Sequence, residues 1–95
     1  MRFAWDPAKA RSNLVKHGIS FELAQKVWDD PFVVVAPGRV ENAEQRWSAT
    51  GLVGPVLMVV VIHTYPDPGD DNLVRIISAR KAIPYERKRY EQEGS

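Results

Sequence analysis

The sequence predicts a compact α+β fold, an antiparallel sheet packed by helices, and three observations carry that prediction. Residues 56–80 hold two apolar runs, VLMVVVIHT and LVRIISAR, around the polar loop YPDPGDDN. Two runs of strand length around a loop of Pro, Gly, Asp and Asn form the pattern of two strands joined by a turn. Two short helical patterns precede them, each opened by a residue that caps free backbone N–H groups, Asp6 and Ser20. The resulting order is β-α-α-β-β-β-β-α. Consecutive strands with short connections imply an antiparallel meander with the helices on one side.

Residues 2–5 read as a short strand. Asp6-Pro7 then starts a helix over 7–17, because Pro fits the first helical turn. Ala10 and Leu14 share a face, with Val15 beside them, while Lys9, Arg11, Lys16 and His17 decorate the rest. Gly18 stops the helix, since glycine accepts a left-handed backbone. A second helix spans 21–28, with Phe21, Ala24, Val27 and Trp28 turned inward. Asp30-Pro31 ends it, as the residue before Pro avoids helical geometry. A strand over 32–36 closes at a Pro37-Gly38 turn. Residues 44–50 alternate, with Gln45, Trp47 and Ala49 toward the core and Glu44, Arg46 and Ser48 away from it. A turn at 51–54 leads into the central strand, where Val59, Val60, Val61 and Ile62 form an unbroken run suited to burial on both faces. Ile83-Pro84 opens a last helix to residue 93, with Arg87 four residues from Glu91 and Arg89 four from Glu93. In the two-strand unit His63 lies near the loop, whereas Ser78 and Arg80 lie toward the other end. The two strands therefore need not serve one site.

Ninety-five residues are expected to form one domain spanning 1–95. The net charge of +1 and pI of about 8.1 are too mild to mark a nucleic-acid binder by charge alone, since such domains often exceed a pI of roughly 9. The cations are nevertheless clustered, at 9–16 and 80–89. Absence of Cys excludes disulfides and thiolate metal sites. No apolar run spans a bilayer and the N-terminus has no signal-peptide pattern, so a cytoplasmic chain is expected. Two His without a neighbouring carboxylate cluster predict no metal site, and Asp67, Asp70 and Asp71 do not match the EF-hand loop. No phosphate-cradling Gly-rich motif occurs, so no cofactor is expected.

The stretch FAWDPAKARSNLVKHGIS from Phe3 resembles the opening signature of the BrnT family. So do the spaced Glu44, Arg46, Trp47 and Gly51, then RIISARKA from Arg75, and Glu86-Arg87 ahead of Tyr90. The resemblance covers nearly the whole chain. It implies a RelE-like fold and a small ribonuclease, the toxin of a bacterial type II toxin–antitoxin pair, which arrests growth by attacking RNA. It also implies a BrnA-like antitoxin partner with a ribbon-helix-helix DNA-binding part, so that operator DNA is reached only through the antitoxin.

A ribonuclease without a metal needs a base for the ribose 2′-OH, a cation for charge on the phosphate, and an acid for the leaving 5′-oxygen. Residue type, family pattern and strand parity assign Arg46 and Arg80 to the phosphate. They assign Lys16, His17 and Glu44 to proton transfer and positioning, and His63, Lys81 and Arg87 to substrate contacts. Each assignment has a bland rival. Lys16 and His17 also suit the negative end of their helix. Glu44 and Arg46 also read as a surface ion pair worth little. His63 also reads as a packed, hydrogen-bonded core histidine, Arg75 as half of a structural pair, and Trp5, Trp28 and Trp47 as core. Two other functions fit the same sequence: a non-catalytic partner subunit for antitoxin-mediated transcriptional autoregulation, and a small RNA-binding module without cleavage.

Overall fold

The computed structural model describes residues 1–94. The chain runs through β1 (Arg2–Ala4), α1 (Pro7–His17), the single turn α2 (Phe21–Ala24), a 3₁₀ helix (Gln25–Asp29), β2 (Val34–Glu41), β3 (Glu44–Val53), β4 (Leu57–Thr64), β5 (Leu73–Lys81) and α3 (Pro84–Gly94). The caps act as the sequence predicts. The Asp6 carboxylate accepts from the Ala8 N–H at 2.8 Å, and the Ser20 hydroxyl accepts from the Leu23 N–H at 3.0 Å. Gly18 is left-handed, with φ 71°, and its N–H donates to the Leu14 carbonyl. The helix predicted over 21–28 is not one α-helix. After Ala24 it tightens into 3₁₀ geometry, with the Asp30 N–H bonded to the Val27 carbonyl, a common way to end a helix.

The sheet order is β1-β5-β4-β3-β2. The β-branched strand β4 is therefore central, antiparallel to both neighbours, and β1 adds to β5 in parallel. Two predicted turns lie elsewhere. Pro37-Gly38 does not close β2; the register slips between Pro37 and Val40, and the strand continues. Pro lacks a donor, so it is tolerated at a bulge on an edge strand. The turn is Asn42-Ala43, both with positive φ (52° and 61°), the geometry of a tight two-residue hairpin. Gly51 lies inside β3 rather than in a turn. A Cβ there would stand 3.0 Å from Val27 Cγ1, so the glycine lets the 3₁₀ helix approach the strand. The turn follows at Gly54, with φ 70°.

One sheet face carries the apolar core. Ile19, Phe21, Ala24 and Val27 pack on Ala49, Val59, Val61, Val74, Ile76 and Ala79. Edge-to-face rings extend it, Phe3 on Trp28 at 5.2 Å and Trp5 on Phe21 at 5.9 Å between centroids. Of the face expected for α1, Ala10 packs against the core but Leu14 and Val15 do not. Leu14 is 49% and Val15 89% exposed, and the buried residue is Asn13. Its amide donates to the carbonyls of Ile19 (3.0 Å) and Ala79 (2.8 Å), and its oxygen accepts from the Ala79 N–H at 3.1 Å. The register of β1 with β5 ends at Arg75, so the Asn13 side chain serves Ala79 as a strand partner would.

The helices do not share one side. Ala49 and Gly51 face Ala24 and Val27, so the alternate residues of β3 face the opposite way. There α3 lies beside Val34, Ala36, Ser48 and Thr50. The two layers meet at Asp30, whose carboxylate accepts from Tyr90 Oη (2.6 Å) and from the N–H groups of Leu52 and Phe32 (2.8 Å each). Burial raises the Asp30 carboxyl, but these hydrogen bonds outweigh it and hold the group below its ordinary range. Burial and the bond to Asp30 push the Tyr90 phenol up to about 12. Among the described residues no helix is long and apolar enough to cross a membrane.

Candidate active site

The second sheet face gathers most of the polar side chains named from the sequence. Alternation along β3 puts Glu44 and Arg46 on it, beyond Ser48 and Thr50. The Trp47–His63 pairing, continued by one step, sets Arg46 across from Thr64, and Thr64 pairs with Arg75 of β5. A row Arg46, Thr64, Arg75 thus crosses three strands. The Thr50–Val60–Arg80 row lies farther along the same face.

Each arginine on this face is held by a carboxylate. Arg46 Nη2 donates to Glu41 Oε2 at 2.9 Å, and Arg75 Nη2 to Glu44 Oε1 at 2.6 Å. Glu44 and Arg46, expected as a pair, therefore take other partners, and Arg75 is one of them. Arg80 forms a two-pronged bond with Glu86 of α3, at 2.7 and 2.8 Å. The same carboxylate accepts from the Ile83 N–H at the start of the helix. Its bond to Arg80, opposed by burial, lowers the Glu86 carboxyl and raises the Arg80 guanidinium. Both terminal nitrogens of Arg80 are thus engaged in tying α3 to the sheet. Two buried polar atoms on the face, Arg46 Nε and Thr64 Oγ1, have no hydrogen-bond partner among the described residues.

Other predicted residues fall outside this face. Lys16 and His17 end α1 and line a groove against Ile77 and Ser78 on β5. Lys81 and Arg87 are exposed, at the end of β5 and on α3. His63 is a correction to the substrate contacts. It is fully buried on the core face, with Trp28 4.9 Å and Tyr65 5.2 Å away between ring centroids. Its ring lies 3.2 Å from both the Val61 carbonyl and Tyr65 Oη. Burial pushes the imidazole pKa down against the raising effect of the carbonyl, so a neutral ring fills a core position. The packed-histidine reading describes it.

The sequence reading gave no site role to Glu41, Thr64 or Glu86. Glu41 faces Glu44 across the Asn42-Ala43 turn, and placing that turn at Pro37-Gly38 hid it. Glu86 carried a legible signal, three residues past Ile83 and so positioned to reach back to its N–H. Among the described residues no cluster of three His, Asp or Glu is placed to hold a metal ion.

Comparison with known proteins adds an independent line. A family model described as the ribonuclease toxin BrnT of a type II toxin–antitoxin system matches residues 5–86. The match includes Lys16, His17, Glu44, Arg46, Arg75 and Arg80 and ends at Glu86. Among solved structures, the crystal structure of the Brucella abortus ribonuclease toxin BrnT aligns with a TM-score of 0.66 at 25% identity. The alignment covers 87% of this chain and 97% of that one. No curated protein matches the chain.

Proposed function

The chain belongs to the BrnT family of ribonuclease toxins of type II toxin–antitoxin systems, and on that premise we propose that it is an endoribonuclease that needs no metal and arrests growth by cutting RNA. Family membership implies an antitoxin protein as partner. The proposal extends this to a BrnA-like antitoxin that masks the site in the cytoplasm and supplies all specific DNA binding.

The observation that supports the reading is the polar sheet face, where Arg46 and Arg75 flank Thr64 with Glu44 beside them. The backbone 2′-oxygen attacks phosphorus, the bond to the 5′-oxygen breaks, and a 2′,3′-cyclic phosphate results. Glu44 takes the 2′-OH proton. Arg75 engages only one of its oxygens, which keeps the carboxylate oriented and its second oxygen open. Arg46 stabilises charge on the phosphate; a planar guanidinium matches two phosphate oxygens and stays charged. His17, with Lys16 beside it, approaches from the α1–β5 edge of the sheet and returns a proton to the leaving 5′-oxygen. Arg80, spent on Glu86, acts by holding α3 over the β2–β3 side rather than as a free clamp.

The test is RNA cleavage by the purified chain, with and without EDTA and with product ends mapped. It is paired with expression in a bacterium with and without the antitoxin gene. Cyclic phosphate ends, EDTA resistance and growth arrest relieved by the antitoxin are expected. Full EDTA sensitivity overturns the metal-free mechanism, and folded protein without cleavage overturns the enzyme.

A further inference from the structure

The groove between α1 and β5 holds polar side chains besides Lys16 and His17, the two that the reaction uses. It is lined by Lys9, Ser12, Asn13, Lys16 and His17 from the helix and by Ile77 and Ser78 from the strand, and encloses ≈ 190 Å³. Lys9, Ser12, Asn13 and Lys16 follow the i, i+3, i+4, i+7 spacing, so they form one helix face. Asn13 fixes that face against Ala79, which turns the two lysines toward the strand edge.

Two features bear on the cations of this groove. Whereas Arg46, Arg75 and Arg80 each hold a carboxylate, Lys9, Lys16 and His17 make no ion pair among the described residues. The helix dipole does not explain Lys9. Cations favour the last turn, where Lys16 and His17 sit, but Lys9 is in the first turn, where the dipole opposes it. The acid at that end, the N-cap Asp6, is bonded to the Ala8 N–H and forms no ion pair with Lys9 among the described residues. The groove also leads somewhere. Ser78 pairs with Ile62 and Ile62 with Ser48, so Ser78 belongs to the row beside Arg46 on the polar face. From β5 to β3 is two strand spacings, roughly 9.5 Å.

We propose that the α1–β5 groove is a second phosphate subsite, in which Lys9 and Ser78 hold the backbone of single-stranded RNA beside the reacting nucleotide. This deepens the ribonuclease reading and rests on it. A flexible single strand can pass from the sheet face round the edge at Ser78 and meet two unpaired ammonium groups. Lys9 touches the chain away from the bond that breaks, so it contributes binding and leaves the chemical step unchanged.

The experiment measures binding of a fluorescent 2′-deoxy oligonucleotide, which lacks the attacking hydroxyl, against salt concentration, alongside RNA cleavage. Each lost phosphate contact lowers the slope of log K against log salt by about 0.7 for a single strand. Lys9→Gln is expected to show that decrease, with KM raised and kcat unchanged, and Lys9→Arg to restore both. Lys9 is exposed, so neither change threatens folding. An unchanged slope and KM in Lys9→Gln overturns the subsite while leaving the enzyme standing. A wild-type chain that binds the oligonucleotide with the Lys9-dependent slope but cuts no RNA keeps the subsite and removes the ribonuclease. Loss of antitoxin binding with an unchanged oligonucleotide slope assigns the groove to the protein partner and overturns the proposal.

Discussion

On one face of the sheet, Ala49, Val59, Val61 and Ala79 meet Phe21, Ala24 and Val27 in apolar contact. On the other, side chains from the same strands form a row of arginines and carboxylates around a buried threonine. The first face needs only residues of suitable size and shape, and its stabilisation grows with the area removed from water. The second needs partners. Its charged groups are held by specific geometry, and two buried polar atoms still lack a bond among the described residues. Such groups cost stability when unsatisfied. The contrast predicts that damage to the first face is read in stability and damage to the second in activity.

The largest stability effect is expected at Phe21, fully buried against Trp5. Phe21→Ala should cost about 3–5 kcal/mol in chemical denaturation, the usual range for emptying such a site. An unchanged midpoint would mean that the helical layer adds little to the core. Asn13 comes next and lies between the two categories, being polar yet structural. Asn13→Ala strands the buried N–H and C=O of Ala79 and the Ile19 carbonyl, and a buried group left unpaired costs about 1–3 kcal/mol. A loss below the range for even one such group would show that α1 does not depend on this latch.

The smallest effect is a pH dependence at His63. The fold keeps its imidazole pKa below 6.5, the ordinary value. Above that value both folded and unfolded chains hold a neutral ring, and the contribution is fully present. As pH falls below 6.5 the unfolded chain takes up a proton that the fold resists, so stability declines until the lowered folded pKa is passed. Melting curves between pH 7.5 and 5 should show this decline, and His63→Gln should flatten part of it. A variant with the wild-type slope would place the responsible group elsewhere.

The apolar face was legible because its cause is local. Val59 and Val61 of the β-branched run and Ala49 of β3 lie in the core, while Trp47 is half-buried against Tyr65 and outside that cluster, and the caps at Asp6, Ser20 and Gly18 bound the helices. Pro37-Gly38 misled because Pro and Gly mark bulges as well as turns. Leu14 misled because Asn13 had a stronger claim to the interior, through hydrogen bonds to residues as far away in sequence as Ala79. The polar face was legible by residue type and not by pairing. Nothing local to Glu44 says that it meets Arg75, thirty-one residues later, and nothing local to Arg80 reveals that Glu86 occupies it. His63 shows the same limit, since its role depends on which face of β4 it takes.

The central claim is that RNA chemistry occurs on the polar face, and the cleavage rate of purified, folded Arg46→Ala tests it most directly. Removing a group that stabilises charge in the transition state commonly lowers the rate by about 10²–10³. The account predicts a loss of that size, with a thermal unfolding midpoint close to wild type and intact antitoxin binding. Full cleavage activity in an Arg46→Ala, Arg75→Ala double variant would contradict it and move the active site off this face.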